Sequence, residues 1–515
     1  MEMKVAVILS EAKDLQFQSE ANQCRFFASL RMTDFRDSEA RNLALHLAQT
    51  KDRGEIPRGV NPERTSKILR YAQDDGAWAR NANLLKVALF LLLLVTHPCS
   101  IPCQLSGSPA ESELPGKAAR GAPGAASAGN HKVYWASDFE GADMAEKVNH
   151  AIAAAAPGST IMVPGGSYLH ASPIRIDKTI RLEGVGSAQT TLLSSSLNSV
   201  QIEIVKGGDY SAVVNLGLYT QGNLAPTGGA GIAVSASFVH VSNVRIWNQY
   251  NGIVFKGPQN LYIVGCDIRC LANDLWQEGG VNLAVRDTKL YGSGGPSTGL
   301  HLSNGNGTWL TDVEIYGNAW GIVIDPGQHE SVGQVFAKGV VVDTTHQHDG
   351  ILIGGSGAVF HVDFTGSWVA GSDKGYGIDL NNRHTNGFTW SGGFIRENYL
   401  SGVFIQAGEN IQILGAQISA NGHNNTTGHD TYGVSVASGV SHFMIADCVV
   451  GKTGFDEEGG GTMRQSVGIY IAPGESDFFE VINNMDAGNV EALLADNSRG
   501  KHKVIQGNLG KATLE

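Results

Sequence analysis

The chain is poor in cysteine, in charge and in long apolar runs. Six cysteines in 515 residues are too few for a disulfide framework, and only Cys266, Cys270 and Cys448 lie beyond residue 130. Cys266 and Cys270 stand four residues apart with no second Cys/His pair at matching spacing, so they read as thiols and not as a structural zinc site. Charged residues make up only 17% and are unevenly signed: residues 131–515 carry 21 Lys/Arg against 35 Asp/Glu, a net charge of −14. With no basic stripe interleaved with aromatics, that acidity excludes a nucleic-acid partner. No apolar run reaches the roughly 20 residues of a membrane span. Glycine, in contrast, is abundant at 66 residues without a Gly-X-Y period, and 42% of the chain is hydrophobic. Together these fit a large core closed by many tight turns.

Residues 84–103 hold a nine-residue apolar run, Val87 to Val95, just after Lys86, the pattern of a signal-peptide core. In residues 1–83 Ser-Glu-Ala recurs at Ser10, Ser19 and Ser38. This segment does not read as a domain and is expected to be an extension outside the fold. Residues 104–130 form a Gly/Ala/Ser/Pro linker in which Ala126-Ser127-Ala128 offers a small-residue cleavage site. The mature protein is therefore expected to be bacterial and exported, whether secreted, periplasmic or on the cell surface, without stable insertion in a membrane. Residues 131–515 form its body.

Within that body the phrase Gly, apolar, any, apolar recurs at Gly231, Gly252, Gly299, Gly321, Gly350, Gly377, Gly402, Gly433 and Gly468, with a looser copy, GVNL, at Gly280. A second alternating run, such as LYIV or IQIL, usually follows each phrase. Period-two alternation marks strands, and recurrence every 20 to 35 residues marks a solenoid. The strands are rich in Val and Ile and the intervals vary, which fits a parallel β-helix better than a leucine-rich repeat. One coil cannot bury its apolar face alone; stacking at about 4.8 Å closes the backbone hydrogen bonds and builds a continuous core. Glycine is expected to open each strand because the chain turns there through left-handed dihedrals. Asp143 to Ala156, with Met144, Val148 and Ile152 at i, i+4 and i+8, predicts a short amphipathic helix capping the first coil.

The order helix, TIMVPGGSY (Thr160 to Tyr168), PIRI (Pro173 to Ile176), IRLEGVG (Ile180 to Gly186), then Thr191-Leu192 resembles the N-terminal segment of the pectate-lyase-like superfamily of right-handed β-helices. The likeness spans about residues 133 to 510. It is nearest to the branch of epimerase-like pectate lyases, rhamnogalacturonase-type domains and phage tailspike depolymerases. It implies an all-β, single-stranded right-handed parallel β-helix that acts on a polysaccharide, with calcium as a cofactor if the reaction is a lyase and a trimer if the chain follows the tailspike members. The Asn-Thr-Asp, Asp-Asp, Gly-His-Gly and Arg-Ile-Lys phrases of polygalacturonase-like hydrolases are missing. So are the motifs of calcium-dependent pectate lyases, and no catalytic residue carries over.

Sites must then come from chemistry. In the repeated phrase the middle residue faces outward, giving the column Ala233, Val254, His301, Val323, Leu352, Asp379, Phe404, Ser435 and Tyr470. FHVDF sets His361 and Asp363 outward together, His346-Gln347-His348-Asp349 precedes Gly350, and Arg383 follows Asp379 closely. Glycosidic cleavage needs an acid and a base about 6.5 to 9.5 Å apart for inversion or about 5 to 5.5 Å for retention, spacings that stacked coils supply. Lyase chemistry needs a base and a cation or ion to neutralise a uronate. Asp349, Asp363, Asp379, His361 and Arg383 are the candidate catalytic residues; His301, His348, Phe404 and Tyr470 are the candidate substrate-binding residues. No metal ligand set is assigned, since the two histidines before Asp349 lack a third partner. Trp247, Trp276 and Trp320 could also stack on sugar rings. These residues point to a secreted lyase or hydrolase of an acidic polysaccharide, with Lys374 and Arg383 as its local cations, or to a non-catalytic glycan-binding or adhesion β-helix.

Overall fold

The computed structural model describes residues 132–222, 225–292, 295–423, 430–452 and 465–514. The readings of residues 1–83, 84–103 and 104–130 lie outside them. From Val133 the described chain builds three parallel sheets of 15, 14 and 13 strands. Each full coil gives one strand to each sheet in a fixed order, called here first, second and third. Val239–Ser242, Arg245–Trp247 and Asn251–Phe255 make one such coil. Successive coils pair in register, Ile232 on Ile253 and Val234 on Phe255, so each inward side chain lies between its counterparts above and below. This explains why strands of three to eight residues suffice: burial comes from stacking and not from strand length. Fourteen strands in the third sheet give a rod of roughly 60 Å. The helix α1 (Met144–Ala154) covers the open end of the first coils with buried Met144, Val148 and Ile152. Its N-cap, Asp143, accepts the Glu146 N–H at 2.9 Å.

Two kinds of position set the coil's shape. From the strand Ala212–Val214 onward, the chain turns between first and second sheets in two residues. The first of these is left-handed, with φ between 49° (Asp287) and 67° (Gly392), and only Gly, Asn or Asp occupies it, the residues for which that conformation costs least. The second points inward, and this is where Cys266 and Cys448 lie, as buried free thiols. Burial pushes the Cys266 thiol up to about 12.

The glycines of the repeated phrase have a different purpose from the one expected. They open third-sheet strands with ordinary φ. What they lack is room: a Cβ on Gly377 would lie 2.6 Å from both Asn398 Nδ2 and Gly402 O. Gly280 is the exception, with φ 81°, and it precedes the first-sheet strand Val281–Arg286 instead of a third-sheet one. The third-sheet strand of that coil is Asn273–Gln277, and pairing of Ile253 with Leu275 sets Asp274 where its neighbours have glycine. Asp274 fits by hydrogen bonding: Cys270 N donates to Oδ1 at 2.6 Å and Asn318 Nδ2 to Oδ2 at 2.8 Å. Its burial holds the carboxyl well above the usual range.

Candidate active site

The outward face of the third sheet carries one continuous column of side chains, called here the groove. Its floor follows the pairing register through Val254, Trp276, His301, Val323, Leu352, Asp379, Phe404, Ser435 and Tyr470. The column read from the sequence is therefore continuous once Trp276 is added. Val254, Val323, Asp379 and Ser435 are buried although they belong to this outward column.

At the N-terminal end of the groove is an open depression of about 440 Å³, lined by Tyr250, Asn273, His301, Trp320, Val323, Asp325 and Leu352 among others. The His301 ring stacks on Trp276 with centroids 5.6 Å apart, and its Nε2 pairs with Asp325 Oδ1 at 2.6 Å. Trp276 is fixed in turn by Nε1 donating to Ser303 Oγ at 2.9 Å, while Lys256 is ion-paired with Glu278 at 2.6 Å. Trp320 stacks on His348 at 3.8 Å. Desolvation and the charge of Lys374 hold the His348 imidazole below its ordinary value.

Further along lie two carboxyls. Asp349 and Asp379 are 9% and 5% exposed. Burial and the charge of Asp379 push Asp349 up to about 7, against the Tyr376 N–H that donates to its Oδ1 at 2.8 Å. Burial also raises Asp379, but its two oxygens accept from Gln406 Nε2 at 2.7 Å and Asn381 Nδ2 at 3.0 Å, which favours its ionised form. Aromatic pairs continue the groove, with Tyr376 against Phe404 at 4.9 Å and Tyr432 on Tyr470 at 4.4 Å.

Of the residues singled out in the sequence, Asp349, Asp379, His301, His348, Phe404 and Tyr470 share this face. The grouping with Asp363, His361 and Arg383 needs correction. Asp363 and His361 belong to the first-sheet strand Ala358–Thr365, where His361 is exposed and Asp363 half-buried on either side of buried Val362, so they stand on a different sheet from Asp379. His361 has φ 53°, a left-handed residue within that strand. Arg383 is exposed in the turn beyond the third-sheet strand, its Nε 3.1 Å from His384 Nε2. The two histidines before Asp349 also part ways: His346 pairs with Asp373 at 2.9 Å and His348 with Trp320. Among the described residues no group of three or more His, Cys, Asp or Glu is placed to hold a metal ion. Asp325 went unread in the sequence, and Trp276, named there as a ring for stacking, was not placed in the column. Asp325 follows Val323 by two residues and so shares its outward side, a signal available from alternation alone.

This architecture is that of a three-sheet parallel β-helix. No protein-family model and no curated protein matches the chain. Among solved structures it is similar to the A-module of mannuronan C-5 epimerase AlgE6 from Azotobacter vinelandii, at 16% identity over 74% of this chain and 100% of that one, TM-score 0.43. It is similar to DFA-IIIase from Arthrobacter chlorophenolicus A6 in complex with GF2, at 13% identity over 69% and 94%, TM-score 0.48. It is also similar to tailspike protein 3 of bacteriophage CBA120, at 12% identity over 74% and 61%, TM-score 0.46. At these values the likeness concerns the course of the chain, and no residue role passes from them to this protein.

Proposed function

We propose that the protein is a polysaccharide-acting enzyme that lays a glycan along the third-sheet groove and hydrolyses it between Asp349 and Asp379. The observation that carries this is the pair itself: two neighbouring carboxyls with raised pKa, one near neutrality and the other favoured as a carboxylate by two amide donors. Environments that hold two acids apart in this way supply a proton donor and a base or nucleophile at one pH. Asp349 protonates the glycosidic oxygen, and Asp379 activates water or attacks the anomeric carbon. The Trp276, Phe404 and Tyr470 rings offer faces for sugar C–H patches. The groove has more carboxyls than free cations, which favours a chain of mostly neutral sugars over a polyanion and hydrolysis over lyase chemistry. With residues 84–103 read as an export signal, the substrate is met outside the cytoplasm.

The test is to incubate the full chain with a panel of neutral and acidic polysaccharides, following reducing ends and the ultraviolet absorbance of unsaturated products. New reducing ends without unsaturation, lost by roughly 100-fold or more in Asp349→Asn and Asp379→Asn while glycan binding persists, is the expected result. Unsaturated products would replace hydrolysis with a lyase. Binding without turnover would leave the glycan-binding rod, a reading favoured by aromatic pairs that continue past the two acids to Tyr432 and Tyr470.

A further inference from the structure

The second sheet presents a different face of the rod. Register sets its central column as Tyr219, Trp247, Arg269, Tyr291 and Tyr316, a guanidinium with an aromatic residue in the coil on either side. The groups around it are already engaged. Arg245 lies over the Trp247 ring, 4.8 Å from its centroid, and pairs with Asp267 Oδ2 at 3.3 Å, while Trp247 Nε1 donates to Asp267 Oδ1 at 3.0 Å. In the following coils Lys289 pairs with Glu314 at 2.9 Å, and Tyr291 meets Tyr316 edge-on at 4.2 Å. The aromatic walls are thereby fixed before any ligand arrives, which lowers the entropic cost of binding.

Arg269 itself is exposed, and among the described residues it has no ion-pair partner. The carboxylate two residues before it on the same strand face is Asp267, whose two oxygens are taken by Trp247 and Arg245. A guanidinium is a rigid fork that matches a carboxylate through two parallel hydrogen bonds, and flanking rings stack on the C–H face of a sugar. A neutral sugar leaves the fork unused, and the net charge of −14 on the body disfavours a long phosphate backbone.

We propose that this face is a second glycan-binding site, selective for a uronic acid whose carboxylate is held by Arg269 between Trp247 and Tyr291. It is separate from the third-sheet groove and does not depend on the groove being catalytic. The test uses the full-length chain in titration calorimetry with short oligogalacturonates, and with maltooligosaccharides of equal length as the neutral comparison. The wild type is expected to prefer the oligogalacturonate, with an affinity that falls as salt rises. Arg269→Gln should weaken that binding roughly tenfold or more and remove most of its salt dependence. Arg269→Lys should restore only part of it, because an ammonium cannot form the fork. Reducing-end release in the groove should be unchanged in both variants. Oligogalacturonate bound equally well by Arg269→Gln, or no preference over the neutral oligomer in the wild type, would overturn the proposal. A silent groove with Arg269-dependent binding intact would overturn the hydrolase reading and leave this one standing.

Discussion

Asp349 acquires its altered chemistry from its place at the turn entering a third-sheet strand, where the coil buries it beside Asp379. The consequence extends to stability. In the unfolded chain the carboxyl loses its proton near 3.8, in the folded protein near about 7, so between those values the folded state holds more protons. Stability from this group is therefore full below about pH 4 and falls as pH rises toward about 7, by roughly 4 kcal/mol. Asp349→Asn, which cannot titrate, should flatten that decline. Thermal midpoints of wild type and variant measured across this range should diverge as pH rises, with the variant the more stable at neutral pH; parallel curves would refute the assignment. Asp379 and His301 were legible because each is the middle residue of a repeated phrase. The place of Trp276 in the outward column was hidden because Asp274 replaces the glycine that announces the phrase. Asp363 and His361 were grouped with Asp379 because alternation shows which side of a strand a residue takes and not which of the three sheets the strand joins.

Strands and turns carry two distinct demands for glycine, and they predict opposite responses to substitution. At Gly402, which opens a third-sheet strand, a Cβ would lie 2.7 Å from Asn421 Nδ2 and from Gly433 O. Gly402→Ala should cost roughly 1 to 3 kcal/mol through overpacking. At Gly415, a corner between first and second sheets, φ is 60° and a Cβ would meet nothing within 4 Å. Other coils place Asn or Asp at the same corner, so Gly415→Asn should change stability by less than about 0.5 kcal/mol. Comparing the two variants by denaturant midpoint checks the distinction; equal losses would mean that the corner tolerates no side chain. The sequence shows only that glycine recurs, since backbone angle and lack of space leave the same letter. Most second-sheet strands went unread. At three or four residues, as in Arg245–Trp247 or Trp368–Ala370, they are too short to display a period, and only stacking on their neighbours makes them strands.

For the rod as a whole, stability is a sum of coils and of the contacts between adjacent coils, so damage at one end should stay near that end. The N-terminal end depends on α1, whose Val148 is fully buried against the core of the first coils. Val148→Asp sets a carboxylate there, at a cost of roughly 3 kcal/mol or more, and should loosen the helix while the distant coils remain paired. Hydrogen exchange followed by mass spectrometry reads this directly. Exchange should accelerate in Ser159–Val163, Ile174–Ile176 and Ile180–Gly184, fade over the next few coils, and match the wild type across Trp320–Ile324 and Glu409–Leu414. The groove and the Arg269 face would then keep their ligands in the damaged protein. A uniform acceleration along the rod would mean instead that the coils unfold as one unit, and that α1 protects the active face from more than 20 Å away by cooperativity and not by contact, given about 4.8 Å per coil.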